Sequence, residues 1–211
     1  MENKKTLLIL SLIFILVMAG AYVMYENLKD QVTHDQLMTQ PATTAATTPT
    51  EMNSTEPDKT APTETGSQEP VMAPDFTVYD LEGNEVRLSD YFGKPIVLNF
   101  WASWCGPCKM EMPDFQEKYL ALGTEINFLM INMTDGTRET VESASSFIAK
   151  QGYTFPVFYD TSSEAAYVYG AYSLPTTYFI NAQGHAIAQA VGAIDADTLQ
   201  QGIDMITSDE P

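Results

Sequence analysis

NFWASWCGPCKMEMP, residues 99–113, closes one apolar run, opens a stretch with helical spacing, and holds the only two cysteines of the 211-residue chain. The run before it, PIVLNFW (95–101), is apolar with one polar break, the pattern of a strand buried on both faces. Helical spacing starts at the cysteines and continues to about Leu122. It crosses Pro113, which removes a helical hydrogen bond and predicts a kink. A buried strand that runs into a helix through Cys105 and Cys108 is thus the centre of the fold.

Outward from that centre, strands and helices alternate. DFTVYD (75–80) and EVRLS (85–89), joined across Glu82-Gly83-Asn84, read as a β-hairpin. INFLMINM (126–133) is a second buried strand, RETVESASSFIAKQG (138–152) an amphipathic helix ending at Gly152, and FPVFYD (155–160) a short strand. SSEAAYVYG (162–170) is a short helix stopped by glycine. TTYFI (176–180) and HAIAQAV (185–191) pair across residues 181–184, and DADTLQQGIDMI (195–206) is a closing helix with Asp195 as its candidate cap. The order predicts an α/β domain with a mixed sheet flanked by helices.

The N-terminal third has a different character. Residues 6–25, TLLILSLIFILVMAGAYVMY, carry no charge over 20 residues. As a helix at about 1.5 Å per residue they span roughly 30 Å, a bilayer core. Lys4 and Lys5 precede the run and Glu26, Lys29 and Asp30 follow it, which leaves residues 1–5 cytoplasmic and the rest outside. The rival reading is a secretory signal peptide cleaved after Ala19-Gly20-Ala21, although the apolar run continues to Tyr25. Residues 26–70 are rich in Thr, Pro and Ala with little to bury, and read as a disordered linker. A flexible chain of about 40 residues reaches roughly 35 Å.

Residues 71–211 then form one domain, large enough for a single core. Its 6 Lys and Arg against 19 Asp and Glu give 6 − 19 = −13. That surface repels nucleic acid and anionic lipid, and no nucleic-acid partner is expected.

The cysteine pair admits three chemistries. A structural staple gains stability by closing a long loop, and a bridge from Cys105 to Cys108 closes almost none. Zinc needs about four ligands, and beside the two cysteines the chain has only two histidines, His34 in the linker and His185 at a hairpin end. A reversible dithiol remains. Cys105 falls at a helix N-terminus, whose dipole and free N–H groups stabilise the thiolate that attacks disulfides.

These residues resemble a known family. WCGPC after an apolar strand, FWA before it, Lys109 after it and LPTTYFI (174–180) resemble the thioredoxin active site and its cis-proline segment. With APDFTVYDLEGNEVRLSDYFGK and the extra helix and strand between 138 and 160, the likeness covers nearly all of residues 71–208. It points to the TlpA-like and ResA-like branch of membrane-anchored thiol-disulfide oxidoreductases. The resemblance implies a thioredoxin-like fold with an N-terminal β-hairpin and a central α-β insertion. It further implies Cys105 as the exposed attacking cysteine, Cys108 as the resolving one, and Gly106 and Pro107 as the dipeptide that tunes the potential. Trp104 would flank the site, Pro175 would be the cis-proline facing the disulfide, and Leu174 would lie beside bound substrate. Where thioredoxin has a buried aspartate this chain has Asn99, which cannot ionise. Glu111 matches an active-site glutamate of the ResA-like branch and sits on the same helix face as Cys108, three residues on; the other reading is a solvated surface glutamate.

By the same resemblance the partners are a disulfide-containing protein such as apocytochrome c and a membrane electron donor of the CcdA/DsbD type. No cofactor or metal is implied, and the site would lie on the outer side of a bacterial cell membrane in a single-pass protein. Two alternatives stand beside this. PDFTVYDLEGNEVRLSDYFGK also resembles the start of peroxiredoxins, but Ala102 stands where they carry threonine. A redox-inactive or copper-binding module would draw on the 11 methionines, yet Met110, Met112, Met130 and Met133 read as core filling.

Overall fold

The computed structural model describes residues 17–20, 22–24, 37–38 and 71–208. Most of the apolar run 6–25 and of the linker 26–70 lies outside them. Residues 17–20 and 22–24 are helical, and among the described residues no helix is long and apolar enough to cross a membrane.

The apolar run before the cysteines forms β5 (Ile96–Trp101), numbered in chain order, and all six of its residues are buried. It pairs in parallel with β6 (Asn127–Asn132) and antiparallel with β8 (Thr176–Ile180), so no edge of it reaches solvent. Side chains alternate across a strand. Ile96, Leu98 and Phe100 enter one core with Phe76, Leu88, Leu129, Ile131 and Tyr169. Val97 and Trp101 enter the other with Phe128, Met130 and Phe179, and Asn99 falls on that second face by the same alternation. This second face is covered by α1 (Gly106–Leu122) and α4 (Ala196–Thr207), through Cys108, Met112, Phe115, Leu199 and Ile203. A polar residue at position 99 therefore points at the helix that carries the cysteines.

Beyond β8 lies β9 (His185–Val191), with which both β1 (Leu37–Met38) and β2 (Val71–Met72) pair. β3 (Thr77–Tyr79) and β4 (Glu85–Arg87) form the expected hairpin, which joins the sheet by pairing Tyr79 with Tyr159 of β7 (Val157–Tyr159). β7 is parallel to β6 and, with α2 (Val141–Gln151), makes the expected central insertion. The full sheet thus runs β1-β9-β8-β5-β6-β7-β3-β4. This mixed sheet flanked by helices is a thioredoxin-like α/β fold. The short helix α3 (Glu164–Tyr169) covers the other face through Ala165 and Tyr169.

Several boundaries differ from the sequence reading for identifiable reasons. The second hairpin strand stops at Arg87 because Leu88–Tyr91 turn into a 3-10 helix, with Arg87 paired to Asp75 at 2.6 Å and Ser89 N–H donating to the same carboxylate. α2 begins at Val141 rather than Arg138, because the Thr140 side chain accepts from Ser143 N–H and caps it there. α1 continues through Pro113 to Leu122. Met110 is 69 % exposed, not core filling, while Met112 and Met130 are buried. Within the stretch read as linker, β1 is antiparallel to Ala190 and Gln189 of β9. Gly202 of α4 lies so close to the Phe179 ring that a Cβ there would sit 2.2 Å from it, which lets the helix settle onto the sheet.

Candidate active site

The chain leaves β5 at Trp101, turns through residues 102–104, and enters α1 at Cys105, whose N–H donates to Ala102 O at 3.1 Å. Cys105 is the N-cap, and its sulfur accepts the Cys108 N–H at 3.2 Å, one of the donors a helix start leaves unpaired. Gly106 and Pro107 take the first two helical positions, where proline's missing N–H has no helical partner to lose. Cys105 and Cys108 are joined as a disulfide with Cα atoms 5.3 Å apart. Both residues are largely covered: Cys105 is 4 % exposed and Cys108 not at all. Cys105, expected to be the exposed attacking cysteine, is thus nearly covered, its sulfur turned back over the first turn of α1. It is still the only one of the pair with any accessible surface.

The Leu174–Pro175 peptide is cis, as the motif implies. β8 pairs Thr176 with Phe100, so Pro175 stands opposite the end of β5, level with the loop that carries the cysteines. Pro175 is buried and its carbonyl accepts from Gly192 N–H at 2.9 Å, while Leu174, half-buried, packs on the core cluster that contains both cysteines. Trp104 is 40 % exposed at the rim. Cys105, Gly106, Pro107, Cys108, Trp104, Leu174 and Pro175 are therefore collected at one end of the sheet.

Glu111 is not a solvated surface residue. It is 2 % exposed, and its two carboxyl oxygens accept from Asn99 Nδ2 at 2.8 Å and from Ile194 N–H at 3.0 Å. Burial pushes its carboxyl up to about 8, against the lowering pull of the Ile194 and Asn99 bonds. Asn99 Nδ2 also donates to Thr177 Oγ1 at 3.0 Å, and Asn99 Oδ1 is buried with no partner among the described residues. One helical turn from Cys108 the domain thus holds an acid that can gain or lose a proton near neutral pH, cradled by an amide that cannot.

Glu139 has no counterpart in the sequence reading of the site. Fully buried, it accepts from Ser103 N–H at 2.8 Å, Ser103 Oγ–H at 2.7 Å and Asn132 Nδ2 at 2.8 Å. It ties the loop after β6 to the residue two before Cys105. Placed at the start of an amphipathic helix pattern it reads as a polar-face residue, and no local signal marks it otherwise. Among the described residues no group of three or more His, Cys, Asp or Glu side chains is arranged to hold a metal ion.

The sequence model of the AhpC/TSA family matches residues 71–189, more than half of the chain. The chain belongs to the AhpC/TSA family. It is similar to the thiol-disulfide oxidoreductase ResA of Geobacillus thermodenitrificans, 36 % identical over 135 residues, covering 64 % of this chain and 75 % of that one. ResA of Oceanobacillus iheyensis is 38 % identical over 135 residues, covering 61 % and 67 %. Among solved structures, StoA from Bacillus subtilis superposes with a TM-score of 0.54 at 27 % identity, over 64 % of this chain and 99 % of that one. The pneumococcal exposed lipoprotein thioredoxin Etrx1 gives 0.53 at 32 % identity, over 62 % and 98 %. This member of the AhpC/TSA family is a thiol-disulfide oxidoreductase.

Proposed function

We propose that the protein reduces protein disulfides on the outer side of a bacterial cell membrane, held there by a single-pass anchor at residues 6–25. The observation that carries the reading is the asymmetry of the dithiol: Cys105 caps α1 with the pair's only accessible surface, and Cys108 is sealed behind it one turn from a buried Glu111. In the dithiol form, the Cys105 thiolate attacks a substrate disulfide. A mixed disulfide forms and one substrate thiolate leaves. Cys108, deprotonated, then attacks Cys105 Sγ, so that the intramolecular disulfide closes and the second substrate thiolate departs. Two electrons pass to the substrate, and Glu111, in its ionised form, takes the Cys108 proton. Trp104, Leu174 and Pro175 border the substrate chain.

The electrons return from a membrane donor of the CcdA/DsbD type, and an apocytochrome c is the proposed substrate; both rest on the family resemblance. Trapping the thiols in growing cells with an alkylating reagent tests the direction: a reductase is found as the dithiol, and goes over to the disulfide when the donor is removed. A pair found as the disulfide in cells with the donor intact refutes it. For the anchor, resistance to carbonate extraction is expected, and a soluble mature chain beginning near Tyr22 refutes it. A peroxidase would have to work with Ala102, fully buried and without a hydroxyl, three residues before Cys105.

A further inference from the structure

The buried Glu139–Ser103 contact has a second effect outside the core. It holds residues 138–139 against residues 103–104, so the next side chain on each segment meets the other: the Arg138 guanidinium carbon lies 3.5 Å from the centroid of the Trp104 ring. Arg138 is exposed, and among the described residues it has no carboxylate partner. The nearest acid before it in sequence, Asp135, directs one carboxylate oxygen to the backbone N–H groups of Thr137, Arg138 and Glu139, which fixes the loop. A guanidinium stacked on one face keeps its in-plane N–H fork available, and that fork matches a carboxylate.

The surroundings make the placement selective. Residues 71–211 carry 6 cations against 19 acids. Of those cations Arg87 is paired with Asp75, Lys94 donates to Thr124 O, Lys118 donates to Gln200, and Lys150 sits in the last turn of α2, at the negative end of its dipole. The other two bracket the dithiol. Lys109 follows Cys108 and lies 5.5 Å from the centroid of the Phe147 ring, and Arg138 lies on Trp104, which precedes Cys105. An acidic domain thus presents positive charge at the lip of its own reactive pair. Asp135 and Glu142 are exposed on the same segment, so the attraction for an acidic chain is local to the guanidinium on Trp104.

We propose that Arg138, laid on Trp104 and held there through Glu139, is a specificity-determining residue that docks a carboxylate flanking the target cysteine, so that acidic segments are the preferred protein disulfides. The inference rests on the disulfide exchange described above. The test uses the full-length protein in detergent and two disulfide peptides identical except for Glu or Gln beside the cysteine. The readout is the ratio of kcat/KM for the Glu peptide to that for the Gln peptide, in which any common loss of turnover cancels.

At low salt the ratio is expected to be about fivefold, the upper end for a solvent-exposed ion pair, and to fall below about twofold at about 0.5 M salt. Arg138→Gln is expected to bring it to about 1, and Arg138→Lys to leave part of it, since a point charge replaces the fork. A wild-type ratio of about 1, or a ratio unchanged in Arg138→Gln, overturns the inference while leaving the exchange reading intact. Failure to turn over either peptide refutes both. Because the wild-type salt titration alone can return the refuting result, the test does not depend on any variant folding.

Discussion

Replacing Glu111 by glutamine removes a buried carboxyl while keeping its size, and the structure fixes what should follow. The oxygen of the introduced amide can keep the Ile194 N–H bond. Its N–H then faces Asn99, whose side chain can turn to present Oδ1, the buried oxygen that now has no partner; Thr177 Oγ1, which now accepts from Asn99 Nδ2, would then donate to that oxygen. The folded state favours neutral Glu111, with its carboxyl raised from 4.5 to about 8 by burial. Between those values the folded protein therefore holds a proton that the unfolded chain has released. The stability from this group is fully present below about pH 4.5 and is lost as pH rises through about 8. At about 1.4 kcal/mol per unit the whole window amounts to an upper limit on the order of 5 kcal/mol.

Urea unfolding of the oxidised wild type and Glu111→Gln at several pH values between about 4 and 9 measures it, because every other titrating group cancels in the difference. Expected is a variant that gains on wild type steadily as pH rises. Two curves that stay parallel within about 0.5 kcal/mol across the range would refute the burial argument.

Other outcomes follow from the same geometry. Cys108→Ala should accumulate mixed disulfides with protein substrates on non-reducing gels and Cys105→Ala should not, since Cys105 alone has accessible surface; equal trapping by both would remove the division of labour. In the reduced protein, Glu111→Gln should lower the apparent thiol pKa, followed by alkylation rate, because a carboxylate beside a dithiol opposes a second negative charge. Reduction of a protein disulfide should fall at least about tenfold in the same variant, while alkylation and activity profiles that overlay wild type from about pH 5 to 10 would contradict it. Gly202→Ala forces a methyl into the Phe179 ring and should cost about 1–3 kcal/mol, read from the urea midpoint; an unchanged midpoint would mean that α4 can lift off the sheet freely.

What is legible in the sequence is what local pattern encodes. β5 and β6 announce themselves because strands buried on both faces must be apolar throughout, and the helix after Cys105 follows from spacing and from the need to end β5 somewhere. Helical periodicity alone places Glu111 beside Cys108. Its burial is not visible there, because that depends on Ile194 and Asn99, 83 and 12 residues away in sequence. Glu139 shows the limit most clearly. Its three donors come from Ser103 and Asn132, at the ends of two different strands, and a buried carboxylate at the mouth of a helix looks in sequence like any solvated one. β1 is hidden for the opposite reason: a two-residue strand in a stretch with little to bury carries no periodicity, and its pairing is set by the edge that β9 offers.

On the proposed function, Cys105 and Cys108 form a two-electron couple poised to reduce other disulfides. Equilibrating the protein against graded thiol-disulfide buffers, then alkylating and separating the dithiol from the disulfide form, measures its midpoint directly. A single two-electron transition nearer to the about −270 mV of thioredoxin than to the about −120 mV of a strong oxidant is expected, in line with the Gly106-Pro107 dipeptide. A midpoint above about −180 mV, or a pair that never interconverts across the buffer range, would contradict it.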